Sequence, residues 1–273
     1  MHVVAANGAR IPALGFGTWT LTGEQAQAMV EAAIDAGFRH IDTAQMYGNE
    51  VEVGRGLAAA AIARDEVFLT TKIWPDDHGR ERFLAAAEES VERLATAPDF
   101  LLLHWPAEAV PIARTIEAAG EAIARGLTRH VGVSNFTTTL LAQALEPGVP
   151  LACNQIEYHP FLDQRKVMAA CRAAGMAVTA YCPLARGRTG EEPVLQRIAA
   201  RHGASPEQIA LAWLLAQDGV AAIPRTSNPK RLRENLGAAD IALSADDIAA
   251  IDRLGAANYR ICDFEFSPVW DAA

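Results

Sequence analysis

The stretch Arg39-His40-Ile41-Asp42-Thr43-Ala44-Gln45-Met46-Tyr47-Gly48-Asn49-Glu50 decides how the rest of the chain is read. It begins as a strand over Arg39 to Ile41 and breaks into a loop at Asp42. Gly48 lets the chain turn, and Asn49 is placed to cap a helix carrying Val51 and Val53. A carboxylate at a strand tip and a phenol on the following loop can then face one cavity. Such a pair calls for a cation between its members, and Lys72, behind the next apolar run, supplies one.

The same unit recurs outward from this stretch. Before it, Asn7-Gly8 between Val3-Val4 and Ile11 predicts a small hairpin, and Leu14 to Phe16 a short strand. Thr22 and Gln25 have the spacing of a capping box for a helix that buries Met29, Val30, Ala33 and Ile34 and stops at Gly37. After it come apolar strands at 67–71, 100–103, 130–133, 152–156, 177–181 and 220–224. Amphipathic stripes lie between them, such as Leu84, Ala87, Val91, Leu94 and Ile112, Ile116, Ala119, Ile123. Ser205 with Gln208 forms a second capping box, and Pro229 and Ser244 start two further helices. Eight strands, each followed by a helix and several apolar throughout, predict a (β/α)₈ TIM barrel with a short N-terminal β-hairpin, one domain over 1–273. A doubly wound open sheet fits less well, because no GxGxxG follows the first strand.

With 51% hydrophobic residues, 273 positions suffice for a sizeable core. A net charge of −9 argues against nucleic acid or an anionic membrane as partner, while leaving room for a small anion in a local basic pocket. Cys153, Cys171, Cys182 and Cys262 show neither CxxC nor zinc spacing, which reads as reduced thiols of a cytoplasmic protein. Met1-His2-Val3-Val4 has no basic segment before an apolar run, so no signal peptide is expected, and no apolar run is long enough to span a bilayer.

In such barrels, function gathers where strands end at the C-terminal face. Those ends are Asp42, Lys72, His104, Ser134-Asn135-Phe136, Gln155 with Glu157, Tyr181-Cys182-Pro183 and Arg225-Thr226. Each alone has a plain structural reading, and His40, His130 and His159 are left with it. Asp42, Tyr47, Lys72 and His104 stand apart as four complementary groups at the tips of three consecutive strands. A carbonyl that accepts a hydride needs a proton on its oxygen. A free phenol, with a pKa near ~10, is a reluctant acid, and a neighbouring ammonium is expected to lower that value. Lys72 can do this for Tyr47, Asp42 can hold Lys72, and His104 can orient the substrate oxygen.

The stretches Asp42-Thr43-Ala44-Gln45-Met46-Tyr47-Gly48-Asn49-Glu50, Thr71-Lys72-Ile73-Trp74, Leu103-His104-Trp105-Pro106, Gly132-Val133-Ser134-Asn135-Phe136 and Asn154-Gln155-Ile156-Glu157-Tyr158 resemble the aldo-keto reductases, in register from Gly15 to Asn235. The compact loops and the ending Ser267-Pro268-Val269-Trp270-Asp271 are most similar to the bacterial 2,5-diketo-gluconate reductases of that family. The resemblance implies a monomeric NADPH-dependent reductase of aldehydes, ketoaldehydes or keto-sugar acids (2,5-diketo-gluconate or methylglyoxal type) with Tyr47 as proton donor and no metal. It implies that Tyr181 stacks on the nicotinamide, that Ser134, Asn135 and Gln155 hold its carboxamide, and that Thr18, Asp42, Cys182 and Leu184 lie near it. Arg225, Thr226 and Arg231 would take the 2′-phosphate and Glu234 and Asn235 the adenine. The family usually has Lys-Ser at Arg225-Thr226 and a serine at Cys182. Trp19, Trp74 and Trp105 would wall the substrate side with Phe264, Phe266 and Trp270. Two other readings stay open: a cofactor-binding regulatory protein of the same fold without turnover, and a Schiff-base aldolase using Lys72.

Overall fold

The computed structural model describes residues 2–272; Met1 and Ala273, part of the expected 1–273 domain, lie outside the described residues. Strands β1 (Val3–Ala6) and β2 (Ala9–Pro12) pair antiparallel around Asn7-Gly8, as expected. Eight parallel strands follow: β3 (Phe16–Gly17), β4 (His40–Asp42), β5 (Phe68–Ile73), β6 (Phe100–Leu103), β7 (His130–Ser134), β8 (Leu151–Glu157), β9 (Ala177–Tyr181) and β10 (Val220–Ala222). Each strand pairs with the next in sequence. The first and last meet through a parallel bridge between Leu14 and Ala222 and the bonds Gly15 N–H to Ala222 O (2.8 Å), Ala222 N–H to Ala13 O (2.7 Å) and Gly17 N–H to Pro224 O (3.1 Å). This closes the (β/α)₈ barrel. Gly15 permits the closure: a Cβ there would stand 2.8 Å from the His40 ring and 2.9 Å from Ile223.

Two apolar layers hold the fold. One lies between strands and helices, where Met29, Val30, Ala33 and Ile34 are buried as their spacing predicts. The other fills the barrel's lower end, where Val4, Ala6, Ala9 and Ile11 of the hairpin pack on Phe100, Ala152, Ala177 and Ala221 at or near the starts of their strands. Asn7 fastens this plug through its amide to Leu151 O (2.6 Å) and Ala174 O (3.0 Å). The hairpin thus covers the N-terminal mouth.

Several local expectations change. Strand β5 runs to Ile73, so Lys72 lies inside it, because Lys72 and Ile73 still pair with Leu102 and Leu103 of β6. Strand β10 stops at Ala222, two residues short of expectation; Pro224 has no N–H to extend the ladder. Thr22 is the N-cap of helix Gly23–Ala36, yet its hydroxyl makes no capping bond. Gly23 enters with φ +52°, outside the extended-to-helical step that aims a capping side chain. Asn49 precedes helix Glu50–Ala59 but likewise does not cap it. Its amide donates instead to Thr18 O (3.1 Å) and Leu21 O (2.9 Å) and accepts from the Thr43 hydroxyl (2.6 Å), stitching together the loops after β3 and β4. The capping boxes of Ser205 with Gln208 and of Ser244 with Asp247 are formed.

Candidate active site

The C-terminal ends of the strands surround a cavity of about 390 Å³. Asp42 closes β4, fully buried, and the loop behind it makes one 3-10 turn over Gln45–Tyr47, ended by Gly48 at φ +64°, which carries Tyr47. Lys72 rises from β5 without exposure to solvent. Its ammonium donates to Asp42 Oδ1 (2.6 Å), to Thr43 O (2.8 Å) and to the Tyr47 hydroxyl (3.4 Å). The other Asp42 oxygen accepts from the Gln155 amide at 2.7 Å, so both carboxylate oxygens are held. His104, at the end of β6, meets Tyr47 edge-on at 5.7 Å between ring centroids and Trp74 at 5.3 Å. Its Nδ1 is buried with no hydrogen-bond partner among the described residues, so aromatic edges orient this ring. The four groups singled out by sequence therefore converge.

The electrostatics depart from expectation in one respect. Burial raises the Tyr47 pKa above 10.0; Lys72 works to lower it but does not win. Desolvation of a phenolate at the half-buried Tyr47 on the cavity wall outweighs a single ammonium whose charge is already shared with Asp42. The phenol is therefore protonated throughout the neutral range. Burial pulls the Lys72 pKa down, while Asp42 and Tyr47 pull it up and prevail, so the ammonium stays charged. Burial, then Lys72, then His78 hold His104 well below 6.5, as a neutral imidazole.

These values carry a prediction about pH. Burial keeps His40, His78 and His104 below the ordinary 6.5, His78 at about 4. Below pH 6.5 the unfolded chain binds protons that the fold refuses. Stability is thus greatest above 6.5 and is lost as pH falls, by up to about 1.4 kcal/mol per pH unit for each such histidine. Urea unfolding followed from neutral to mildly acid pH should show this decline, and His104→Gln should make it shallower. Identical pH slopes for the two proteins would contradict a neutral buried His104.

A second cluster covers the cavity floor. The Ser134 hydroxyl donates to Gln155 O (2.9 Å), and the Asn135 amide to His104 O (3.1 Å) and to Ser134 Oγ (3.1 Å). The Tyr181 hydroxyl donates to Asn135 Oδ1 (2.7 Å) and so fixes its ring. Cys182 and Leu184 lie on the same wall. Thr18 stands behind the wall, fully buried, donating to Asp42 O (3.0 Å). At the far end, Arg225 and Arg231 line the cavity from exposed positions, Arg225 donating through Nε to Trp19 O (3.0 Å). Thr226 is buried and bonds within its turn to Asn228, whose side chain caps helix Pro229–Leu236. Glu234 and Asn235 sit on that helix away from the cavity wall, Glu234 exposed and Asn235 buried.

Trp19 and Trp105 line the cavity, and Trp74 backs it through His104. The tail completes this side: Trp105 meets Phe264 (5.9 Å), Phe266 (5.2 Å) and Trp270 (6.1 Å), and Trp74 meets Phe266 (5.6 Å). Glu157 anchors the tail. Its carboxylate accepts from Ile261 N–H (2.7 Å), Cys262 N–H (2.6 Å) and His159 (2.9 Å). Sequence reasoning gave Glu157 no such role; an acid closing the expected strand directly after Ile156 was the available signal. It also passed over Arg186, Glu207 and Cys262, which line the cavity, Arg186 lying 5.3 Å over the Trp19 ring.

The Aldo/keto reductase family model matches residues 13–256. A methylglyoxal reductase DkgB of Salmonella typhi is 37% identical over 266 residues, 96% of this chain and 99% of its own. A crystal structure provisionally named 2,5-diketo-D-gluconic acid reductase B superposes with a TM-score of 0.97 at 44% identity, covering 100% of this chain and 98% of its own. An aldo/keto reductase from Brucella melitensis superposes at 0.88 with 38% identity, covering 93% and 99%. The chain belongs to the aldo/keto reductase family.

Proposed function

We propose that the chain, as one monomeric domain, reduces small carbonyl compounds with NADPH: aldehydes, ketoaldehydes or keto-sugar acids of the methylglyoxal or 2,5-diketo-gluconate type. The observation that carries this reading is the row Asp42, Lys72, Tyr47, in which a protonated phenol on the cavity wall is backed by an ammonium 3.4 Å away that is itself held at 2.6 Å. The donor set suits a nicotinamide dinucleotide, with amide groups of Asn135 and Gln155 beside the Tyr181 ring at one end and two guanidinium groups at the other. When bound, that cofactor supplies the hydride. Tyr47 then gives its proton to the substrate oxygen, and Lys72 stabilises the phenolate left behind. His104, neutral and at the cavity wall, orients that oxygen through a hydrogen bond. Trp19, Trp74, Trp105 and the tail aromatics exclude water and select small substrates. The four free thiols and the absence, among the described residues, of a helix able to cross a membrane fit a cytoplasmic enzyme. Loss of NADPH absorbance against a panel of ketoaldehydes, diketo-sugar acids and aromatic aldehydes tests the proposal. No turnover with any class would favour the regulatory reading instead.

Arg225 and Arg231 tie the preference to NADPH, because guanidinium grips phosphate in a bidentate way and the start of helix Pro229–Leu236 favours an anion. Hydrogen bonds to charged groups contribute about 1.5–3 kcal/mol, so Arg225→Ala should weaken NADPH binding roughly ten- to a hundredfold. NADH should be almost untouched, and salt should erode NADPH binding more than NADH binding. Titrations of both cofactors decide; an equal loss for the two would show that Arg225 serves the Trp19 loop rather than the phosphate.

A further inference from the structure

Cys182 and Cys262 are far apart in sequence and close in the fold. Glu157 of β8 pairs with Tyr181 of β9, and Cys182 follows directly in left-handed backbone at φ +48°. The Glu157 carboxylate holds the Cys262 amide at 2.6 Å, which seats Cys262 over the same two strand tips. Both side chains line the cavity, together with Arg186. We propose that Cys182 and Cys262 form an oxidation-sensitive dithiol that closes to a disulfide and fastens the tail to the tip of β9.

The surroundings distinguish this pair from the other thiols. Cys182 and Cys262 are each other's strongest electrostatic neighbour, and Arg186 stands on the same cavity wall as a cation that favours negative charge at Cys182. These contacts hold the Cys182 pKa below 9.0 and push the Cys262 pKa above it. Cys182 is thus the more readily ionised of the two and takes the attacking role, with Cys262 as the resolving thiol. Cys153 and Cys171 are buried, their pKa values pushed up to about 12, and stay inert.

With a peroxide as oxidant, the Cys182 thiolate attacks one peroxide oxygen. The O–O bond breaks, Cys182 becomes a sulfenic acid, and the released hydroxide takes a proton to become water. Cys262 then attacks the Cys182 sulfur, losing its proton; the S–S bond forms, the S–O bond breaks and a second water leaves. Two thiols are oxidised and one peroxide is reduced. The link then precedes Phe264 and Phe266 in the tail, so it restrains the aromatic wall of the cavity.

The test treats the reduced chain with hydrogen peroxide, removes the excess and unfolds it in an alkylating reagent. Free thiols should fall from four to two. Peptide mapping should find Cys182 and Cys262 joined, lighter by two hydrogen atoms, and dithiothreitol should restore both. Cys262→Ser should form no link and should leave Cys182 as a sulfenic acid that takes a cyclic 1,3-diketone label. Backbone amides over 263–270 should exchange more slowly in the oxidised wild type. Unlinked Cys182 and Cys262 peptides after peroxide treatment would overturn the dithiol, and unchanged tail exchange in linked protein would overturn the restraint. Any effect on turnover rests on the reductase reading. The mass and exchange measurements do not, so the two ideas fail separately.

Discussion

Lys72→Met is expected to abolish carbonyl reduction and to lower the stability of the fold by about 3–5 kcal/mol, the usual effect of removing one partner of a buried ion pair. Lys72 and Asp42 are both shut off from solvent, with side-chain exposures of 0% and 2%. Removing the ammonium leaves Asp42 with the Gln155 amide as its remaining side-chain partner. The sign of the pH dependence follows from the raised Lys72 pKa. Its contribution is complete below the ordinary value of 10.5 and is lost only as pH rises through the higher folded value. The deficit of Lys72→Met is therefore fully present at neutral pH. Denaturant unfolding measures it, and pairing the change with Asp42→Asn should restore part of the loss, because the stranded charge is then gone. Wild-type stability in Lys72→Met would mean that the pair contributes nothing net, and normal aldehyde reduction would remove Lys72 from the mechanism.

The barrel was legible because its strands are apolar runs separated by helical stripes, and both periods depend on neighbours a few residues away. The positions of Asp42, His104 and Tyr181 follow from the same local reading, since each is the polar residue at which an apolar run stops; Lys72 reads as such an end too, although β5 continues past it to Ile73. Partners across the barrel were not legible. Nothing near Gln155 tells that its amide reaches Asp42, 113 residues away. Nothing near Glu157 tells that it holds Ile261 and Cys262. These contacts depend on strand register and barrel closure, which local periodicity leaves undetermined. The same limit explains the Asn49 side chain, which looks like a helix cap in sequence and is drawn away by the carbonyls of Thr18 and Leu21.

The direction of the Tyr47 shift is a case of the same kind. Sequence names the neighbour that lowers the pKa but not the depth of burial that raises it, and burial is the larger effect. The raised pKa changes the division of labour. A phenol already ionised at rest could not donate, whereas a protonated phenol backed by a fixed ammonium can. In the proposed reaction, Lys72 then acts mainly after proton transfer, on the charge that appears at Tyr47, where a preorganised cation in a dry site has most effect.

Tyr47→Phe isolates that step. The substitution removes one hydroxyl and keeps the ring that packs edge-on against His104 at 5.7 Å. Lys72 loses its longest contact, at 3.4 Å, and retains Asp42 and Thr43 O at 2.6 and 2.8 Å. Stability should change far less than in Lys72→Met, and NADPH affinity should be kept, because Tyr47 contributes no charge to cofactor binding. Reduction should fall by about 100- to 10,000-fold, the usual contribution of a positioned proton donor. The loss should appear in kcat and kcat/KM together, since the missing interaction is made only as the substrate oxygen gains charge. Steady-state rates with one aldehyde and one ketoaldehyde, beside an NADPH titration of the same protein, separate these effects. Activity within a few-fold of wild type would transfer the proton donor to another group on the cavity wall. His104 is the nearest candidate, and as a neutral imidazole well below 6.5 it would have to give up a proton far more weakly acidic than that of a phenol.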